Sequence, residues 1–128
     1  SDNEMLSVQK GEIIFREGES SNFLYYISSG TFSVFSRSRH VGMLTPADIF
    51  MGEMSFLLNN RRSATVRVER PGKLIRISRE SFVSVIKEFP HYGIFLSKLL
   101  ARKLVRANVR NVLIQQRNTG EEATVTDT

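Results

Sequence analysis

The sequence predicts a mainly β domain, a sandwich or barrel of short strands, followed by two C-terminal helices. Three observations carry that prediction. Short β-prone runs punctuated by glycine or proline recur from Gly11 to Ile77. One of them, Ala64-Thr65-Val66-Arg67-Val68-Glu69, alternates small or branched apolar residues strictly with polar ones, the two-residue period of a strand with one face inward. From Ser78 onward the apolar spacing changes to that of a helix.

In chain order, the first strand lies within Gly11-Glu12-Ile13-Ile14-Phe15-Arg16-Glu17-Gly18, closed by glycine at each end. Phe23–Ser29 is a second. Gly30 reads as a tight hairpin turn leading into Thr31–Phe35. Val41–Leu44 is a further short strand, and Thr45-Pro46-Ala47-Asp48 a turn. After the alternating strand, Arg70-Pro71-Gly72 reads as another turn, with Lys73–Ile77 returning as its partner. Ser78 is placed to cap a helix in which Phe82, Val85, Ile86 and Phe89 share a face; Pro90 ends or kinks it. A longer helix follows over 92–116, with Ala101, Val105, Val109 and Val112 as an apolar series. The boundaries expected are one domain over 5–117 (β region 5–77, helices 79–89 and 92–116) and a disordered polar tail over 118–128.

Composition narrows the function. With 41% hydrophobic and 24% charged residues in 128, the chain has the balance of one globular domain. No stretch approaches the roughly 18 apolar residues of a membrane span, and the N-terminus lacks signal-peptide features, which leads to a cytoplasmic expectation. Cysteine is absent, so thiolate nucleophiles and cysteine-ligated metals are excluded. His40 and His91 lie far apart, so no metal site is expected, and a cupin-like metal enzyme lacks its ligands. The net charge of +5 is local: no acidic residue lies between Glu88 and Glu121, whereas Lys98, Arg102, Lys103, Arg106, Arg110 and Arg117 do. That basic helix raises nucleic-acid binding as an alternative function.

The most informative segment is Phe50–Thr65, a long connection inside the β region that carries Gly52, Glu53 and Arg62. A ribose carrying a phosphate diester would be met by such a set. A guanidinium such as Arg62 supplies a fork for the anion, free N–H groups near Glu53, Met54 and Ser55 supply main-chain donors, and Gly52 permits close approach. Glu53 can accept a bond from a ribose hydroxyl.

Gly-Glu-Met-Ser at 52–55 followed by Arg-Ser-Ala-Thr at 62–65, nine positions from Glu53 to Arg62, resembles the phosphate-binding cassette of cyclic-nucleotide-binding domains. The flanks Lys10–Gly18 and Leu24–Gly30 resemble that family's opening strands. The resemblance implies an antiparallel double-stranded β-helix, a jelly-roll-like β-roll of about eight strands, with C-terminal α-helices. It implies a cyclic nucleotide as ligand, with cAMP preferred and cGMP possible, no further cofactor and no catalysis. Gly52, Glu53, Met54, Ser55, Arg62 and Ser63 would hold phosphate and ribose; Lys103, Asn108 and Ala64 are candidate base contacts. It also implies a sensor that repositions its C-terminal helix, paired as a homodimer through 92–116 or coupled to an effector domain. Only about a dozen polar residues follow that helix, so no DNA-binding domain is expected, and a first residue other than Met suggests a fragment or processed chain. A protein-interaction module of the same fold that has lost its ligand is the other alternative.

Overall fold

The structure is a computed structural model that describes the backbone of residues 3–119 and side chains to residue 107. The expected tail at 118–128 therefore falls almost wholly outside the described residues. In chain order the elements are β1 (Glu4–Val8), β2 (Ile13–Phe15), β3 (Phe23–Ser36), β4 (Arg39–Leu44), a 3₁₀ turn (Pro46–Asp48), β5 (Phe50–Met51), α1 (Glu53–Leu58), β6 (Thr65–Ser78), α2 (Arg79–Glu88) and α3 (Pro90–Thr119). The chain divides after Ser84 into two compact units.

The first unit is mainly antiparallel sheet, ordered β1-β6-β3-β4, with β2 pairing to β6 and β5 to β3. Its axis is the pairing of β3 with β6, each 14 residues long. Here two sequence expectations are corrected. Gly30 is not a hairpin turn, and Arg70-Pro71-Gly72 does not reverse the chain; each lies inside a continuous long strand. The two breakers face one another, because the register passes from Ser29↔Lys73 to Thr31↔Arg70 through successive irregularities. A Cβ on Gly72 would overlap the Ser29 carbonyl, and one on Gly30 would stand 2.9 Å from Arg70 O, so both strands bend where their backbones nearly touch. Pro71, which has no N–H to give, sits within that irregularity rather than in a regular ladder. Two strands thus take the place of four, and among the described residues the sheet has six strands rather than about eight. The actual hairpin is between β3 and β4, where Arg37 and Ser38 both take positive φ. β1 was absent from the sequence reading.

Alternation was read correctly along β6. Val66 and Val68 are buried while Arg67 is exposed. They join Val8, Phe15, Tyr25, Ile27, Phe32, Met51 and Leu74 in one core. Each such apolar side chain contributes about 1.5–3 kcal/mol by leaving water. The helix start was also legible: Ser78 Oγ accepts from Ser81 N–H at 3.1 Å, the cap that opens α2.

Candidate functional site

The cassette is delivered by β5 and begins at a strained approach. Ile49, a β-branched residue, is held at φ 70°, its carbonyl accepting from Ile27 N–H at 2.8 Å. Gly52 then takes φ 72° and serves as the N-cap of α1. Phe56 N–H closes the first turn on Gly52 O at 3.1 Å, so the N–H groups of Glu53, Met54 and Ser55 have no acceptor within the helix. Asn59 ends α1 in the left-handed conformation that asparagine tolerates.

Arg62 reaches the same turn from the other end of the loop. Its main chain is fixed on both sides: Arg62 N–H donates to Glu19 O and Gly18 N–H donates to Arg62 O, each at 2.8 Å. The side chain therefore points inward and is only 3% exposed. Nη1 donates to Gly52 O at 2.7 Å and to Ser55 Oγ at 3.1 Å, while Nη2 donates to Phe23 O. The guanidinium lies over the Phe15 ring, 4.1 Å from its centroid, with Tyr25 at 5.9 Å. These acceptors are all neutral, and buried Nε has no acceptor among the described residues.

Burial pushes the Arg62 guanidinium below its ordinary pKa, against the opposing effects of Tyr25, Glu19 and Glu53. Burial likewise raises the Tyr25 phenol, opposed by Arg62 and Arg76. The cation is thus taken out of water with neutral hydrogen-bond acceptors, while the Glu19 and Glu53 carboxylates act on its charge.

The predicted residues divide accordingly. Gly52, Ser55 and Arg62 are joined by hydrogen bonds, and Glu53, also buried, acts on the Arg62 charge. Met54 and Ser63 are exposed and Ala64 is half-buried. Lys103 is half-buried on α3, in the second compact unit. The Asn108 side chain lies outside the described residues. Arg61, the neighbour of Arg62, is exposed and donates to Gly18 O. Sequence reasoning missed the ring platform: Phe15 and Tyr25 both read as ordinary strand residues. It also missed Ser21, a buried hydroxyl that donates to Ser55 O at 2.9 Å and is within bonding distance of Asn60 O. Nothing in the local pattern distinguishes these residues.

An inward-facing guanidinium, a left-handed glycine and a six-residue helix thus meet at one turn on a mainly antiparallel sheet. Residues 5–89 match the family described as Cyclic nucleotide-binding domain, and this chain belongs to that family. It is 30% identical over 109 residues to human potassium/sodium hyperpolarization-activated cyclic nucleotide-gated channel 3, covering 85% of this chain and 14% of the channel. It is 31% identical over 105 residues to the Cyclic AMP receptor protein of Thermus thermophilus, covering 78% of this chain and 48% of that protein. The crystal structure of Thermus thermophilus catabolite activator protein superposes with a TM-score of 0.77 at 28% identity, covering 88% of this chain and 55% of that one. The chain thus spans under half the length of these curated relatives. Among the described residues no helix is long and apolar enough to cross a membrane.

Proposed function

We propose that the chain is a cytoplasmic cyclic-nucleotide sensor, preferring cAMP to cGMP, that reports occupancy through its C-terminal helix to a second copy or an effector. It performs no chemistry on the nucleotide. The observation that carries this reading is Arg62: a guanidinium 3% exposed, with neutral acceptors and an orphan Nε, gripping the turn that opens the cassette. A singly charged phosphate diester gives this guanidinium a charged acceptor without needing a metal. Glu53 accepts from the ribose 2′-hydroxyl, and Arg62 keeps that carboxylate and the phosphate from repelling one another. The first-turn N–H groups of Glu53, Met54 and Ser55 add main-chain donors, and exposed Ser63 adds a hydroxyl. Ala64, Lys103 and Asn108 are the base-side candidates.

The preference for cAMP is supported by Asn108, whose amide can accept from an adenine amine. Two relatives also carry cyclic AMP in their names: the Thermus thermophilus receptor protein and the Drosophila melanogaster cAMP-dependent protein kinase type II regulatory subunit, 33% identical over 79 residues. The output is a population shift, requiring the nucleotide to favour one helix arrangement over another.

Calorimetric titration of wild type, Arg62→Ala and Glu53→Ala with cAMP and cGMP tests the proposal. Loss of Arg62 removes a desolvated charge partner and costs about 2–5 kcal/mol of binding. Absence of binding of either nucleotide to wild type at millimolar concentration would sink the reading. Tighter cGMP than cAMP binding would overturn the preference alone.

A further inference from the structure

Arg79 opens α2, yet its guanidinium is spent on the cassette. Nη1 donates to Phe56 O at 2.8 Å and Nη2 to Ser21 O at 2.9 Å. The same group lies 4.3 Å from the Phe56 ring centroid. Ser21, in turn, places its one hydroxyl proton between Ser55 O and Asn60 O. One turn further along α2, Phe82 meets Phe56 edge-on at 5.4 Å between centroids. Two arginines therefore hold opposite ends of one six-residue helix: Arg62 at Gly52 O and Ser55 Oγ, Arg79 at Phe56 O.

A cation in the first turn of a helix is opposed by the helix dipole, so Arg79 is poorly chosen for α2 alone. Its fork suits two carbonyl acceptors at once, a geometry that a lysine ammonium on a flexible stem does not reproduce. We propose that Arg79 is the positioning residue that couples the cassette to α2, making the C-terminal turn of α1 and the first turn of α2 move as one piece. A ligand that draws α1 toward Arg62 would then displace the start of α2 by the same step. This rests on the nucleotide reading above, but the mechanical link exists without ligand and can be measured without it.

Amide hydrogen exchange on wild type, Arg79→Met and Arg79→Lys, with and without cAMP, tests the link. Without ligand, Arg79→Met speeds exchange in both 55–59 and 80–84 by roughly ten- to a hundred-fold, the effect of losing charge-assisted bonds shared by both segments. Arg79→Lys keeps the charge but not the fork, and stays closer to the methionine variant than to wild type. With saturating cAMP, wild type changes protection in both segments. Arg79→Met changes only 55–59, while its calorimetric affinity shifts by less than about ten-fold. A role in stability alone would lower the melting temperature of the variants yet leave the cAMP response of 80–84 intact, and that result overturns the proposal. So does a ligand-free effect confined to 80–84. If wild type itself binds no nucleotide, the sensor reading fails separately, and the ligand-free comparison still decides whether Arg79 joins the two helices.

Discussion

Replacing Gly52 by alanine should reveal how tightly the turn and Arg62 depend on each other. Two costs arise at this position. Gly52 has φ 72°, where a Cβ costs about 1–2 kcal/mol. The new methyl would also overlap Arg62 Nη1 and stand 3.1 Å from both Arg62 Cζ and Phe15 Cε2. An exposed arginine would swing aside at little cost. Arg62 cannot, because its side chain is buried under three hydrogen bonds and stacked on Phe15. Displacing it leaves a buried cation short of acceptors, which adds about 1–3 kcal/mol. Gly52→Ala should therefore destabilise the domain by about 2–5 kcal/mol, reduced by several tenths because alanine stiffens the unfolded chain. In an Arg62→Met background the overlapping atom is gone, and the same change should cost only about 1–2 kcal/mol. Urea denaturation of the four proteins gives the coupling from their midpoints, provided the slopes agree. Equal costs of Gly52→Ala in both backgrounds, within about 0.5 kcal/mol, would refute the argument that Arg62 is pinned against the glycine.

Other expectations concern stability. Ser21→Ala removes a buried hydroxyl whose one proton lies between Ser55 O, which also accepts from Asn60 N–H, and Asn60 O, and should lower unfolding free energy by about 1–3 kcal/mol in the same denaturation assay. A loss below measurement error would mean that those carbonyls are satisfied otherwise. Tyr25 gives a pH dependence of known sign. Its folded pKa lies above the ordinary 10.0 because of burial, so its contribution is complete below pH 10 and is lost as pH rises beyond it, where the unfolded chain ionises first. Urea midpoints measured across that range should fall less steeply for Tyr25→Phe than for wild type; parallel curves would assign the alkaline loss to other groups.

Much of this was legible in local pattern. Val66 and Val68 announce their strand because a pleated chain sends alternate side chains to opposite faces, and the core keeps the apolar ones. Ser78 announces α2 because a hydroxyl satisfies a first-turn N–H wherever a helix begins. The Gly52-Glu53…Arg62 spacing pointed to the cassette through its resemblance to that of cyclic-nucleotide-binding domains, and the groups it brings together suit an anion carried on a sugar. Gly30 and Pro71-Gly72 misled for an equally physical reason. Glycine permits a turn and also permits two backbones to touch; which one occurs depends on the strand opposite, 40 residues away in sequence.

The cassette shows the same division. The amino-acid order alone determined that a glycine, a carboxylate and a guanidinium would lie on one loop between two strands, in an arrangement that resembles the cassette of the family to which the chain belongs. Only the tertiary structure decided that Arg62 would be buried over Phe15, held by Phe23 O from β3, and that Arg79 would reach back to Phe56 and Ser21. These partners come from segments distant in the chain, and their meeting is set by the pairing of β3 with β6 rather than by any local propensity.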